Sequence, residues 1–163
     1  MSTAADVAIL MGSKNDWQIM KRAAETLREF GVTCEARVLS AHRTPTETAD
    51  YVEKADAAGT KVFIAAAGMA AHLAGAVAAH TVRPVLGVPL AASDLNGLDA
   101  LLATVQMPPG IPVGTLAIGK PGAINAALLA IAILALERPK LHEALREYRQ
   151  KHAQKILAEK LME

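Results

Sequence analysis

A three-layer α/β fold around a parallel sheet is predicted by three observations. Short apolar runs alternate along the chain with longer stretches of helical periodicity. The runs at 7–11 and 61–67 are apolar almost throughout, as strands covered on both faces must be. Gly or Pro follows most of these segments, so turns separate the elements and no long unstructured stretch is needed.

The first strand, 7–11, stops at Gly12-Ser13 and belongs in the middle of the sheet. From Asp16, the residues Ile19, Ala23, Leu27 and Phe30 recur every three or four positions among charged ones, an amphipathic helix closed by Gly31. Residues 33–39 alternate instead, Cys34, Ala36 and Val38 being interleaved with Glu35 and Arg37, which predicts an edge strand with one wetter face. Thr44-Pro45 opens a second helix over 44–58, with Pro in its first turn and Gly59 as its stop. The third strand, 61–67, ends at Gly68; a small-residue helix follows over 69–81, and 85–88 is a fourth strand that Pro89 ends. A helix over 94–105, the turn Met107-Pro108-Pro109-Gly110, a fifth strand over 113–118 and an apolar helix ending near Glu137 complete the alternation. Right-handed crossovers then place helices on both faces of a parallel sheet. With the second strand at an edge, the order is 2-1-3-4-5, a flavodoxin-like αβα sandwich in a single domain over 1–163.

The tail, 140–163, is a further helix with Leu141, Leu145, Tyr148, His152, Ile156 and Leu157 on one face. No strand is left for it to cover. The stripe is expected to pack on another part of the body or on a neighbouring subunit, and a homo-oligomer is predicted.

Composition narrows the function. The chain has 163 residues, 52% of them hydrophobic, enough for one well-filled core. Aromatics supply only 3%, which argues against a site walled by stacked rings. The 17 basic and 16 acidic residues leave a net charge of +1, without the electrostatic footprint of a nucleic-acid or membrane-surface binder, so a small molecule is the expected partner. The single cysteine, Cys34, excludes an intrachain disulfide and fits a reducing cytoplasm. Residues 1–6 lack a basic region followed by a long apolar core, so no secretion signal is expected, and the longest apolar run, 126–136, is too short to span a bilayer. No metal-ligand spacing, Walker loop or dinucleotide glycine pattern occurs; neither metal nor cofactor is expected.

In such a sheet, ligands bind beyond the carboxyl ends of the strands, where the strand order reverses. Three loops converge there. Gly12-Ser13-Lys14-Asn15-Asp16 after the first strand is either a cradle for phosphate at a helix start or a plain helix cap. Asp16 would repel a phosphate beside it, so it points instead to sugar hydroxyls and a ribose. Ser40-Ala41-His42-Arg43 after the second strand joins a hydroxyl, an imidazole and a guanidinium, suited to moving a proton on an anionic molecule. Ala67-Gly68-Met69-Ala70-Ala71-His72 after the third is small enough for a flat ring to lie on its backbone, and adds an imidazole that is also explicable as a structural histidine within a helix. His80, His142 and His152 fall on helices and are taken as structural or surface residues.

Over nearly its full length the sequence resembles the class I N5-carboxyaminoimidazole ribonucleotide mutases of purine biosynthesis. The motifs are Met11-Gly12-Ser13-Lys14-Asn15-Asp16-Trp17, Ser40-Ala41-His42-Arg43-Thr44-Pro45, Ala70-Ala71-His72-Leu73 and Pro84-Val85-Leu86-Gly87-Val88-Pro89, continued by 101–108, 117–119 and 125–128. The resemblance implies a cofactor-independent isomerase that moves a carboxylate from the exocyclic nitrogen of an aminoimidazole ribonucleotide to ring carbon C4, by decarboxylation and recarboxylation. It implies His42 as the proton-handling residue, its basicity tuned by burial near Arg43. The implied substrate-binding positions are Gly12, Ser13, Asp16, Ser40, Ala41, Arg43, Gly68, Ala70, His72 and Leu73, with Gly68, Ala70 and His72 lining a pocket that retains carbon dioxide. It also implies a cytoplasmic homo-octamer whose last helix reaches a neighbour.

Three positions depart from the family pattern: Asn15 replaces a usual Ser, Met69 a Gly and Ala74 a Pro. Met69 is the largest change, a side chain where the ring site would have bare backbone. The alternative activity is the related carboxylase, which uses free carbon dioxide and whose motif after the third strand differs from Ala70-Ala71-His72-Leu73. An alternative of another class is a non-enzymatic flavodoxin-like binding module. Against it stand the single tryptophan, Trp17, and the lack of an acid in Ala65-Ala66-Ala67-Gly68.

Overall fold

The computed structural model describes residues 4–161. The predicted start at 1–3 and the last two residues of the tail, 162–163, lie outside the described residues. Five strands, β1 (Val7–Met11), β2 (Cys34–Val38), β3 (Val62–Gly68), β4 (Val85–Leu90) and β5 (Gly114–Thr115), form one parallel sheet in the order β2-β1-β3-β4-β5. Six α-helices connect and follow them: α1 (Trp17–Glu29), α2 (Pro45–Ala58), α3 (Leu73–Ala78), α4 (Leu98–Val105), α5 (Lys120–Ala135) and α6 (Pro139–Ala158). The predicted architecture and strand order are those observed.

The uniformly apolar strands divide their side chains between two cores, as the period of two requires. Val7, Ile9 and Met11 of β1 and Val62, Ile64 and Ala66 of β3 pack beneath α1 and α5, with Ala126, Ala127, Ala130 and Ile131 of α5 opposite them. Ala8, Leu10, Phe63 and Ala65 point the other way, against Val52 of α2 and Leu73, Ala74 and Val77 of α3. Phe63 and Ile9 are fully buried. Truncation to Ala would cost about 3–5 kcal/mol at Phe63 and about 2–5 kcal/mol at Ile9, through lost burial and the cavity left behind.

Several boundaries differ from expectation. β4 runs through Pro89 to Leu90. The carbonyls of Gly87 and Pro89 both accept from the segment after β5, from the Leu116 and Gly119 N–H groups, so they face that side. β5 has already ended at Thr115, so no ladder there needs the N–H that Pro89 lacks. β5 has two residues, Gly114 and Thr115, and the chain beyond it stays against β4 through the Leu116 and Gly119 N–H bonds. Helix α3 starts only at Leu73: Met69 takes a positive φ of 57°, and the Ala71 and His72 N–H groups donate to Met69 and Ala70 carbonyls, a tight turn incompatible with helix. Helix α4 starts at Leu98 because Asn96 and Gly97 also have positive φ. The alternation of β2 yields no buried face: Ala36 and Val38 are exposed like Arg37, on a strand at the edge of the sheet.

The tail divides in two. Leu141 and Leu145 of α6 pack on the core under α5, and Tyr148 meets Phe30 with ring centroids 5.5 Å apart. Beyond this, Ile156 and Leu157 remain 66% and 84% exposed. Among the described residues no helix is long and apolar enough to cross a membrane.

Candidate active site

The turns after β1, β2 and β3 enclose a cavity of about 410 Å³ at the carboxyl end of the sheet, where the strand order reverses. Every site residue expected from the sequence lines it: Gly12, Ser13 and Asp16; Ser40, Ala41, His42 and Arg43; Gly68, Ala70, His72 and Leu73.

The first wall is built by a helix cap. Ser13 Oγ accepts the Asn15 N–H at 3.2 Å, and Asp16 Oδ2 accepts the Ser13 N–H at 2.9 Å, a reciprocal capping box that leads through a 3₁₀ turn (Lys14–Asp16) into α1. The cap and the cavity wall are thus the same residues. Burial raises the Asp16 carboxyl above the usual carboxylate range, while the Ser13 N–H and the Arg43 charge oppose that rise.

The second wall is a turn closed on itself. The Ser40 N–H donates to Thr44 Oγ1 at 2.9 Å, the Thr44 N–H donates to the Ser40 carbonyl at 2.9 Å, and the Arg43 N–H donates to Ser40 Oγ at 3.2 Å. Arg43 then ties this wall to the first, donating from Nη2 to the Gly12 carbonyl at 2.6 Å and from Nε to Ser40 Oγ at 3.3 Å. A guanidinium has five donors, so this bracing leaves others for an anion.

His42 Nε2 lies 2.8 Å from His72 Nδ1, the rings meeting edge to face at 87°. At that distance one nitrogen donates and the other accepts, so a single proton lies between the rings. His42 Nδ1 and His72 Nε2 remain for other partners. Two expectations are corrected here. His42 is exposed, not buried, because its turn leaves the sheet from the edge strand. His72 is not within a helix: it precedes α3 and is exposed against His42.

The third wall depends on close approach. A Cβ on Gly68 would lie 2.5 Å from the Ala92 Cβ, so only glycine lets β3 end this near the segment after β4. Ala92 is itself a lining residue that the sequence did not disclose, because ending the fourth strand at Pro89 hid how far β4 carries the chain toward the cavity. The signal was Gly68 itself, small where a neighbour must approach. Among the described residues no group of three or more His, Cys, Asp or Glu is arranged to hold a metal ion.

Comparison with known proteins agrees with this geometry. A family model described as AIR carboxylase matches residues 6–155. The chain is 50% identical over 154 residues to the N5-carboxyaminoimidazole ribonucleotide mutase of Pseudomonas aeruginosa, covering 94% of each chain. It is 52% identical over 153 residues to the protein of that name from Escherichia coli, covering 94% of this chain and 90% of the relative. In three dimensions it resembles the crystal structure of Treponema denticola PurE, with a TM-score of 0.85 at 29% identity over 93% of both chains. A parallel sheet in this order, a cavity at its switch point and half-identity over nearly the whole length converge on one assignment: the chain belongs to the AIR carboxylase family.

Proposed function

We propose that this chain is an N5-carboxyaminoimidazole ribonucleotide mutase, an isomerase of purine biosynthesis with His42 as its proton-handling residue. The observation that carries this is the single cavity in which His42, Arg43 and the small Gly68–Leu73 wall face one another, in a chain about half identical to relatives bearing that name.

The chemistry balances with one imidazole. The bond from the exocyclic nitrogen to the carboxylate breaks, its electron pair returns to nitrogen and the ring, and carbon dioxide is released as His42 donates a proton to that nitrogen. Ring carbon C4 then attacks the carbon dioxide, a C–C bond forms, and the proton displaced from C4 returns to His42. Nothing is oxidised or reduced, and no cofactor is called for. An imidazole near neutrality suits a group that donates and then accepts. Holding carbon dioxide against Gly68, Ala70 and His72 keeps recombination effectively intramolecular. Ser13, Asp16, Ser40 and Arg43 serve the ribose and phosphate, with Gly12, Ala41 and Leu73 as contact surface; Asp16 suits hydroxyl donors and Arg43 an anion.

The carboxylase alternative is separated by a steady-state assay. Turnover of the carbamate without added bicarbonate is expected; turnover that needs bicarbonate and ignores the carbamate would reverse the assignment. A homo-octamer follows from the same resemblance. It is supported by exposed Leu98, Leu102 and Val105 along α4, by Leu95 in the turn before it, and by Ile156 and Leu157 at the end of α6. Light scattering at micromolar concentration tests it, a monomer mass being the contrary result.

A further inference from the structure

Among the residues lining the cavity, Met69 alone is held in the left-handed region, with φ of 57°; the lining glycines, Gly12 and Gly68, are not. A Cβ destabilises that conformation, which glycine would adopt without strain. Its neighbours Gly68, Ala70 and Ala71 are all small, so the only long flexible side chain of this turn is the one placed where the backbone least favours it. The turn is held from both directions: the Ala71 N–H donates to the Met69 carbonyl at 2.9 Å, and His72, next along, is held by His42. Met69 nonetheless contributes little to the core, being 58% exposed at the cavity rim. A strained backbone carrying an exposed apolar side chain at a binding cavity is a cost without a structural return in the free protein.

We infer that Met69 is a retention residue: its thioether side chain folds over the bound aminoimidazole ring and closes the cavity mouth against escape of carbon dioxide. Methionine fits the part, having three rotatable bonds and a polarisable sulfur that packs well on a planar ring. The side chain recovers on ligand binding the apolar burial it lacks in the free chain. This rests on the mutase assignment for its substrate, but its binding arm can be read without turnover.

Two variants separate the side chain from the backbone. Met69→Gly removes both the side chain and the strain, whereas Met69→Ala removes the side chain and keeps a Cβ at positive φ. The expected result is that both bind aminoimidazole ribonucleotide about 3- to 10-fold more weakly than the wild type. Both are also expected to release several times more free aminoimidazole ribonucleotide per turnover of the carbamate. Only Met69→Gly should melt higher, by about 2–4 °C. Wild-type affinity and an unchanged release ratio in both variants would overturn the inference. A wild type that binds the ribonucleotide but does not isomerise the carbamate overturns the mutase assignment alone, the affinity comparison still deciding the role of Met69. A wild type that does not bind it overturns both.

Discussion

Two aspartates bracket the first strand, and they live in opposite worlds. Asp6, just before β1, receives two hydrogen bonds from the Arg138 guanidinium, at 3.0 and 2.5 Å, and one from Thr33 Oγ1 at 3.1 Å. The Arg138 hydrogen bonds chiefly hold its carboxyl below the usual carboxylate range. Asp16, at the other end of the loop after β1, also has an arginine nearby, yet its carboxyl is raised by burial. The difference lies in where each arginine spends its donors. Arg138 meets its carboxylate directly and fastens the start of α6 to the sheet, whereas Arg43 turns to the Gly12 carbonyl and Ser40 and braces two loops. One end of the sheet neutralises its charges internally, and the other leaves an aspartate, an arginine and two imidazoles facing a cavity.

Substitutions at the two ends should therefore separate activity from stability. The largest effect is expected at His42: His42→Asn should lower kcat by at least about 100-fold while Tm stays nearly unchanged, since the ring is exposed. A wild-type rate would remove His42 from the mechanism. Arg43→Ala should come next, raising KM about 10- to 100-fold in steady-state assays through loss of an anion partner and of the brace between loops. Arg138→Ala, at the opposite end, should leave KM alone and lower unfolding stability in urea by about 1–2 kcal/mol, a modest figure because the pair is partly exposed to solvent. An altered KM in that variant would erase the distinction between the ends.

The smallest effects are in pH dependence and have opposite signs. The depressed Asp6 contributes stability that is present above the ordinary carboxylate range and lost as pH falls through its lower folded value. The raised Asp16 does the reverse, weakening the fold as pH rises from the ordinary carboxylate range through its higher folded value. In chemical denaturation across acid pH, Asp6→Asn should flatten the acid loss. Asp16→Asn should remove the decline above it and leave the protein slightly more stable at neutral pH.

The sheet and the three loops were legible in the sequence because their signals are local. Apolar runs at 7–11 and 61–67 mark strands buried on both faces, and Gly12, Ser40 and Gly68 mark where each strand lets go. Where the loops meet followed from topology, since the order 2-1-3-4-5 brings the ends of β1, β2 and β3 together, while the individual positions proposed for binding came from the family resemblance. Less legible were elements whose limits depend on neighbours. The extent of β4 past Pro89 depends on β5 having ended beside it. The packing of Leu141 and Leu145 on the protein's own core depends on space left beneath α5, which the stripe on α6 does not specify.

Fold class, strand order and the three loops that meet at the cavity are written into the chain locally, because hydrophobic period and turn chemistry are encoded a few residues at a time. Only the tertiary structure decided how those loops engage one another. The His42–His72 contact, the Arg43 brace and the approach of Ala92 to Gly68 each join segments far apart in the chain. Such distances follow from how strand ends are stacked side by side, and no local pattern carries them.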